Sequence, residues 1–211
     1  MNQQNIATDI WNIADTLRGD FKQSEFGRII LPFAVLRRLE CVLEPTRAAV
    51  LAQFEAIKAT SIDPDLLLPA TAQASFYNTS QFSLSTLGST STRANLEDYV
   101  AKFSANARQV FEHFKFGNWL ESLEKANLLY LVAQKFATID LHPNTISNHE
   151  MGLVFEHLIR KFAESANDTA TDAKDKKHSE FFPQRHLLLR IFQLCHYSRE
   201  IPFITINEFA G

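Results

Sequence analysis

Apolar residues recur every three or four positions along most of this chain, and that spacing places them on one face of an α-helix. The first such stripe consists of Ile6, Ile10, Ile13 and Leu17. Gly19 follows it in the position of a C-cap. The clearest stripe spans residues 151–162, and Ser147 and Glu150 before it have the spacing of a capping box. Because such stripes outnumber strand signals, we predict a mainly α fold.

Several predicted helices carry specific markers within or near their ends. Pro45 is expected to open a third helix as a first-turn residue. Pro32 lies inside the second helix, where its ring removes a backbone donor, so we expect a kink or a fresh start there. Asn118 and Glu121 repeat the capping-box pattern, and residues 128–136 are predicted to form a further short helix.

The core is expected to be rich in aromatic side chains, because 18 of the 211 residues are Phe and 45% of the sequence is hydrophobic. Composition changes between Thr60 and Asn95, where Ser, Thr and Pro dominate. This stretch also contains Phe76 and Phe82, which a pure linker rarely carries. We therefore predict an irregular excursion that packs back onto the domain and includes a small β-hairpin near residues 75–87.

These patterns divide the chain into three predicted regions. Residues 1–165 are predicted to form a helical N-terminal domain. Residues 166–180 are small, polar and charge-balanced with no apolar period, which is typical of a flexible linker. Residues 181–211 form an atypical tail with one short predicted helix and an apolar end.

Net charge and the lack of targeting signals limit the partners and the cellular location that we expect for the protein. The formal net charge is −3, so no overall cationic field draws the chain to nucleic acid or membrane. The N-terminus does not resemble a signal peptide, and no apolar stretch approaches the roughly 20 residues needed to span a bilayer. The only two cysteines, Cys41 and Cys195, have no paired spacing, so we expect a reducing, cytoplasmic setting.

No pattern in the chain indicates chemistry of its own. His149, Glu150 and His157 are the closest group of metal-type ligands, but the two His are two helical turns apart, and a zinc site on one helix needs a single turn. We interpret Glu150 as a capping carboxylate and both His as surface residues. Cys41 is expected to be a small core residue.

Five basic residues fall within one stretch and are the candidates for contact with DNA. They are Arg18, Lys22, Arg28, Arg37 and Arg38. Lys and Arg beside phosphates supply most sequence-independent affinity for DNA. However, acidic residues are interleaved with them, and through residue 60 basic and acidic residues number seven each. Composition alone therefore favours a solvated mixed-charge surface over a DNA footprint.

Five segments carry motifs in a recognisable order. They are residues 11–40, 76–80 (Phe-Tyr-Asn-Thr-Ser), 94–99 (Ala-Asn-Leu-Glu-Asp-Tyr), 127–137 and 148–164. Together they resemble the N-terminal domain of the methylation (M) subunit of type I restriction–modification systems. The resemblance implies a helical domain that, in the full-length subunit, precedes a Rossmann-like domain that binds S-adenosylmethionine and methylates adenine. The implied partners are a specificity subunit, a second M subunit and duplex DNA.

The sequence departs from that family pattern after residue 166. Residues 179–185 read Ser-Glu-Phe-Phe-Pro-Gln-Arg, an imperfect echo of the segment that begins the methyltransferase domain. No glycine-rich cofactor loop and no Asn-Pro-Pro-Phe/Tyr motif follows it. We therefore assign no catalytic, cofactor-binding or metal-binding residue and expect the isolated chain to be inactive as a methyltransferase.

Two hypotheses of function follow. The first is an assembly and DNA-clamping module of a type I N6-adenine DNA methyltransferase, which helps close the complex around the duplex. The second is a free-standing helical protein–protein interaction domain from a truncated or frameshifted M-subunit gene. Salt-dependent DNA binding in the presence of the specificity subunit favours the first, and tight self-association without DNA dependence favours the second.

Overall fold

The computed structural model describes residues 3–168 of the chain. In that range it contains nine α-helices and no β-sheet, which confirms the mainly α prediction. The helices are α1 (Gln3–Ala14), α2 (Gln23–Leu43), α3 (Arg47–Ile57), α4 (Pro64–Ala72), α5 (Thr92–Ala101), α6 (Ala105–His113), α7 (Phe116–Lys125), α8 (Leu129–Ala137) and α9 (Asn148–Asp168).

Helix α2 lies at the centre of the domain, because α1, α7, α8 and α9 all pack against it. Fifteen of its 21 residues are buried. The helix continues through Pro32, which is itself buried, so the predicted fresh start is not observed. Neighbours on several sides hold the helix together although Pro32 cannot donate the usual backbone hydrogen bond.

Helices α1 and α9 pack together and both contact α2. The Trp11 ring of α1 lies 4.9 Å from the Phe162 ring of α9. After α1 the chain makes a 3-10 turn over Asp15–Leu17 and reverses at Gly19, whose φ of 97° favours glycine. This turn sets the direction in which the chain enters α2.

The capping box predicted ahead of α9 is confirmed. The backbone N–H of Ser147 donates to Glu150 Oε2 at 2.9 Å, and the backbone N–H of Glu150 donates to Ser147 Oγ at 3.2 Å. Two amides of the first turn, which have no partner within the helix, are thereby satisfied.

The predicted aromatic core is also confirmed. Phe33 of α2 lies 5.0 Å from the Phe116 ring, edge to face, and 5.5 Å from the Phe136 ring, stacked. Phe111 continues the cluster at 5.7 Å from Phe116. These rings join α2, α6, α7 and α8 into one core, since each aromatic pair adds about 0.5–1.5 kcal/mol beyond the area it buries.

Helices α3 and α4 form a helical hairpin at the edge of the domain, which we call the α3–α4 arm. Pro45 lies in a 3-10 turn over Glu44–Thr46 just before α3, so the third helix begins two residues later than Pro45. Helix α4 was not predicted, because residues 60–95 read as irregular. It begins where the Asp63 side chain accepts a hydrogen bond from the backbone N–H of Asp65, with Pro64 in the first turn.

The predicted β-hairpin near residues 75–87 was wrong. Asn78 forms a single antiparallel bridge with Phe103, and a 3-10 turn covers Leu84–Thr86. The backbone amides here bond to nearby Asn, Ser and Thr side chains, as when Ser80 N–H donates to Asn78 Oδ1 at 2.7 Å, and such bonds compete with strand pairing. The stretch does pack back onto the domain, since Phe76 and Leu84 are fully buried.

The Asn118–Glu121 capping box was also wrong. Helix α7 begins at Phe116, two residues before Asn118, after Lys115 in the left-handed region with φ of 52°. Asn118 therefore lies inside the first turn, and Glu121 instead accepts a bond from Lys125 Nζ at 2.7 Å. The short helix predicted over 128–136 is confirmed as α8.

Helix α9 extends to Asp168, three residues past the predicted end of the domain. The rest of the predicted linker and the tail, including Cys195, lie outside the described residues.

Candidate nucleic-acid interface

Two of the five candidate DNA contacts are exposed where α1 turns into α2. Arg18 follows the 3-10 turn, and its Nε donates to Asp15 Oδ1 at 2.7 Å. Lys22 is exposed immediately before α2, and its backbone N–H donates to Glu25 Oε2 at 2.8 Å. Both residues flank the turn at Gly19, which the backbone bond from Phe21 N–H to the Leu17 oxygen closes at 3.0 Å.

Arg28 lies on α2 less than two turns beyond Lys22, and its side chain is half-buried. Arg18, Lys22 and Arg28 will be called the basic corner. Asp15 and Glu25 lie within the same short stretch, so the charges at this corner are mixed, as composition suggested.

Arg38 was wrongly included among the candidate contacts, because its side chain is only 1% exposed. Its Nη1 donates to the backbone oxygens of Leu141 and Ile146 at 2.5 and 2.9 Å, and its Nη2 donates to Asn148 Oδ1 at 2.7 Å. A guanidinium held in this way inside the domain cannot reach a phosphate. It fastens the segment between α8 and α9 to the central helix.

Arg37 is also turned toward the protein. Its side chain is 16% exposed, with Nε donating to the Ile139 backbone oxygen at 2.8 Å and Nη1 to Glu40 Oε2 at 2.9 Å. Sequence alone could not distinguish Arg37 and Arg38 from surface residues, since their backbone acceptors lie about 100 positions away in the chain.

Most basic side chains on the described surface, Arg18 of the basic corner included, pair with a carboxylate about one helical turn away. These pairs are Arg18–Asp15, Lys58–Glu55, Arg93–Glu97, Lys102–Asp98, Arg108–Glu112, Lys125–Glu121 and Arg160–Glu164. Exposed pairs of this kind contribute little to stability, but each reduces the local positive field. The described surface is therefore of mixed charge.

A polar junction centred on Glu40 joins α2 to the 76–87 stretch and α5. Glu40 Oε1 accepts the backbone N–H of Leu84 at 2.8 Å, and its other oxygen accepts from Arg37. Tyr99 and Glu40 line the same small cavity at this junction. Burial and the charge of Glu40 raise the pKa of Tyr99 well above its usual value, so this phenol stays protonated.

Two of the motifs that carried the family resemblance meet at this junction. Asn78 Nδ2 of the first donates to the Tyr99 backbone oxygen of the second at 2.9 Å, and Ser80 Oγ donates to Asp98 Oδ2 at 2.9 Å. Arg47 Nη2 donates to the Ser80 backbone oxygen at 3.2 Å from the start of α3. A cavity of about 20 Å³ remains between these groups, enough for a water molecule. The two motifs thus hold the 76–87 stretch to α5.

Among residues 3–168, no group of three His, Cys, Asp or Glu side chains has the geometry of a metal site. Glu150 caps α9, as interpreted from the sequence. Cys41 is buried as expected, and burial raises the pKa of its thiol while the charge of Arg37 opposes that shift. No helix in the described region is long and apolar enough to cross a membrane.

A family model identifies the type of domain to which this helical chain belongs. The model of the HsdM N-terminal domain matches residues 6–136, more than half of the chain. The chain belongs to the HsdM N-terminal domain family. It is therefore an N-terminal module of the methylation subunit of a type I restriction–modification system.

No curated protein and no solved structure gives a significant match to the chain. The family model ends within α8, yet the chain continues into α9, which packs against both α1 and α2. Helix α9 therefore belongs to the same folded unit as the residues that the family model covers.

Proposed function

We propose that this HsdM N-terminal domain serves as an assembly and DNA-clamping module of a type I N6-adenine DNA methyltransferase. Its partners are the specificity subunit, a second M subunit and duplex DNA held within the complex. The domain adds a sequence-independent contact to the phosphate backbone, which fixes the duplex while the methyltransferase domain extracts the target adenine.

The observation that carries this proposal is the distribution of basic side chains. The basic corner puts three cations within eleven residues of a turn, and one of them, Arg18, pairs with Asp15. Arg37 and Arg38 point inward, and most exposed cations elsewhere are paired along their own helices. Even so, the net charge is negative. The isolated domain should therefore bind duplex DNA weakly, and the corner should contribute only when partner subunits hold DNA against it.

S-adenosylmethionine is expected only in the methyltransferase domain of the full-length subunit. The enclosed cavity at the polar junction does not fit that cofactor, because a space of about 20 Å³ accepts a water molecule and not a nucleoside. We assign no step of methyl transfer to the described residues.

The test is DNA binding by the full-length M subunit assembled with its specificity subunit. Arg18, Lys22 and Arg28 are replaced together by Ala, and the control replaces Lys102, Arg108 and Lys125 by Ala, which removes the same charge from surface sites outside the corner. We expect the corner variant to weaken binding equally on specific and unrelated sequences. The salt slope should fall by about one unit for each phosphate that the variant no longer neutralises.

Equal affinity and an unchanged salt slope in the corner and control variants would place the DNA contact elsewhere. Arg28 is half-buried, so its replacement could weaken folding. Thermal melting followed by circular dichroism checks that both variants remain folded. The alternative of a free-standing interaction domain is favoured by the exposed aliphatic residues of the α3–α4 arm. It predicts tight self-association of the isolated chain that is insensitive to DNA.

A further inference from the structure

The α3–α4 arm exposes large aliphatic side chains to solvent. Leu66 is 76% exposed, Ile62 is 46% exposed and Leu67 is 36% exposed. A single exposed leucine is ordinary on a protein surface. Three such residues within six positions concentrate exposed apolar area on the arm, and exposed apolar patches mark contact sites for other proteins.

Exposed apolar residues occur on both helices of the arm. Leu68 and Ala72 are the buried residues of α4, and the principal helix neighbour of α4 is α3. Leu66 and Ala70 are exposed one turn apart on the opposite side of α4. Exposed residues of α3 are mostly alanines, so this helix also exposes small apolar side chains. They are Ala48, Ala49, Ala52 and Ala56.

The arm is held rigidly enough to present this surface in one form. Tyr77 donates its hydroxyl hydrogen to Asp65 Oδ1 at 2.6 Å, which ties the start of α4 to the domain. Thr46 Oγ1 donates to the Ala72 backbone oxygen at 3.1 Å, which ties its end. Because both ends of α4 are fixed, a partner loses little free energy in ordering the helix when it binds.

The charged residues around these apolar side chains indicate what kind of partner the arm binds. Between residues 44 and 75, all of which the structure describes, four carboxylates are exposed. They are Glu44, Glu55, Asp63 and Asp65. Lys58 is the only exposed cation in that range, and it pairs with Glu55. An acidic rim repels DNA phosphates, and it also opposes the same arm of a second copy in a symmetric contact.

We propose that the α3–α4 arm docks the specificity subunit through a surface of that subunit with an apolar centre and a rim of Lys and Arg. This inference rests on the proposed function, which supplies the complex in which the arm meets its partner. Leu66 fills the centre of the contact, with Ile62 beside it, and the carboxylates of the arm guide the approach of the basic rim.

Binding of purified full-length M subunit to its specificity subunit tests the apolar centre. The arm variant replaces Ile62 and Leu66 by Ser, and the control replaces Leu131 and Leu153, which are 44% and 43% exposed on α8 and α9. We expect the arm variant to raise Kd at least tenfold and the control to leave it within about twofold, because truncation at the centre of an interface has the largest effect.

Charge reversal tests the rim. Glu44→Lys combined with Glu55→Lys should slow association with the specificity subunit, most strongly at low salt. Glu121→Lys combined with Glu124→Lys makes the same change in charge away from the arm and should leave the rate unchanged. Thermal melting confirms that the variants remain folded, since all four positions are solvent-exposed or partly so.

The outcomes separate the two proposals. If the wild-type M subunit does not bind its specificity subunit, both the proposed function and the proposed role of the arm are overturned. If the wild type binds and the arm variants bind equally well, the arm inference alone is overturned. Loss of self-association by the arm variants, with specificity-subunit binding intact, would instead assign the surface to a second copy and also overturn it.

Discussion

Helices α2 and α4 of the same domain place their apolar residues in opposite ways. Helix α2 buries fifteen of 21 residues, whereas α4 buries only Leu68 and Ala72 of its nine and exposes Leu66. Apolar surface removed from water contributes roughly 25 cal/mol per Å², so the stability of the domain is concentrated around α2. The arm contributes much less and leaves apolar surface open for contact.

The charged residues follow the same division. In the central region Arg37 and Arg38 turn inward and bond to backbone oxygens of the segment between α8 and α9. On the arm the carboxylates face solvent. The charged residues of α2 are therefore mainly structural, whereas those of the arm are placed to serve recognition. Substitutions that should be severe in one region and mild in another test this division.

The largest effect is expected from Phe155→Ala in α9. Phe155 is 1% exposed, so its truncation should lower the free energy of unfolding by about 3–5 kcal/mol. Leu66→Ala on the arm should change it by less than about 0.5 kcal/mol. Urea denaturation of the two variants compares them directly, and similar losses in both would remove the distinction between core and arm.

Arg38→Leu should follow with a loss of about 3 kcal/mol. The substitution leaves the buried backbone oxygens of Leu141 and Ile146 without their guanidinium donor, and each unsatisfied buried group costs about 1–3 kcal/mol. Arg18→Leu is the control, because its pair with Asp15 is exposed and contributes at most about 1 kcal/mol. The same urea titration measures both, and a negligible loss for Arg38→Leu would contradict the inward role of that residue.

The smallest resolvable effect concerns the two capping-box patterns. Ser147→Ala removes the oxygen that accepts the Glu150 amide and should cost about 1 kcal/mol. Asn118→Ala should be nearly neutral, because Asn118 lies inside the first turn of α7 and does not cap it. Thermal melting resolves the difference, and a larger loss for Asn118→Ala would show that both sequence patterns cap their helices.

Sequence predicted those parts of the fold whose signals are local. Regular apolar spacing identified α1, α2, α8 and α9, and the Ser147 box located the start of α9. Helix α4 was missed because its short span lies in a stretch dominated by Ser, Thr and Pro. The hairpin was predicted in error because aromatic residues favour strands, and side-chain bonds to the backbone replaced the ladder there.

The site was less predictable because its deciding interactions join distant parts of the chain. Arg38 and Arg18 look alike in sequence, yet one is 1% exposed and the other lies on the surface. The acceptors of Arg38 are mainly backbone oxygens, which every residue carries and which no side-chain pattern reveals. Likewise, the motifs at 76–80 and 94–99 signalled a family, but their meeting at Glu40 depends on the folded chain.

The neighbouring residues Arg37 and Arg38 also fix the number of residues between α8 and α9. Arg37 bonds to Ile139, and Arg38 bonds to Leu141 and Ile146. Two neighbouring positions of one helix therefore hold this segment at three backbone oxygens. An insertion or deletion of one residue within 140–145 would shift at least one acceptor out of reach.

The loop at 88–91 has four consecutive exposed residues, so a peptide tag or fluorescent label is better inserted at Thr90 than between α8 and α9.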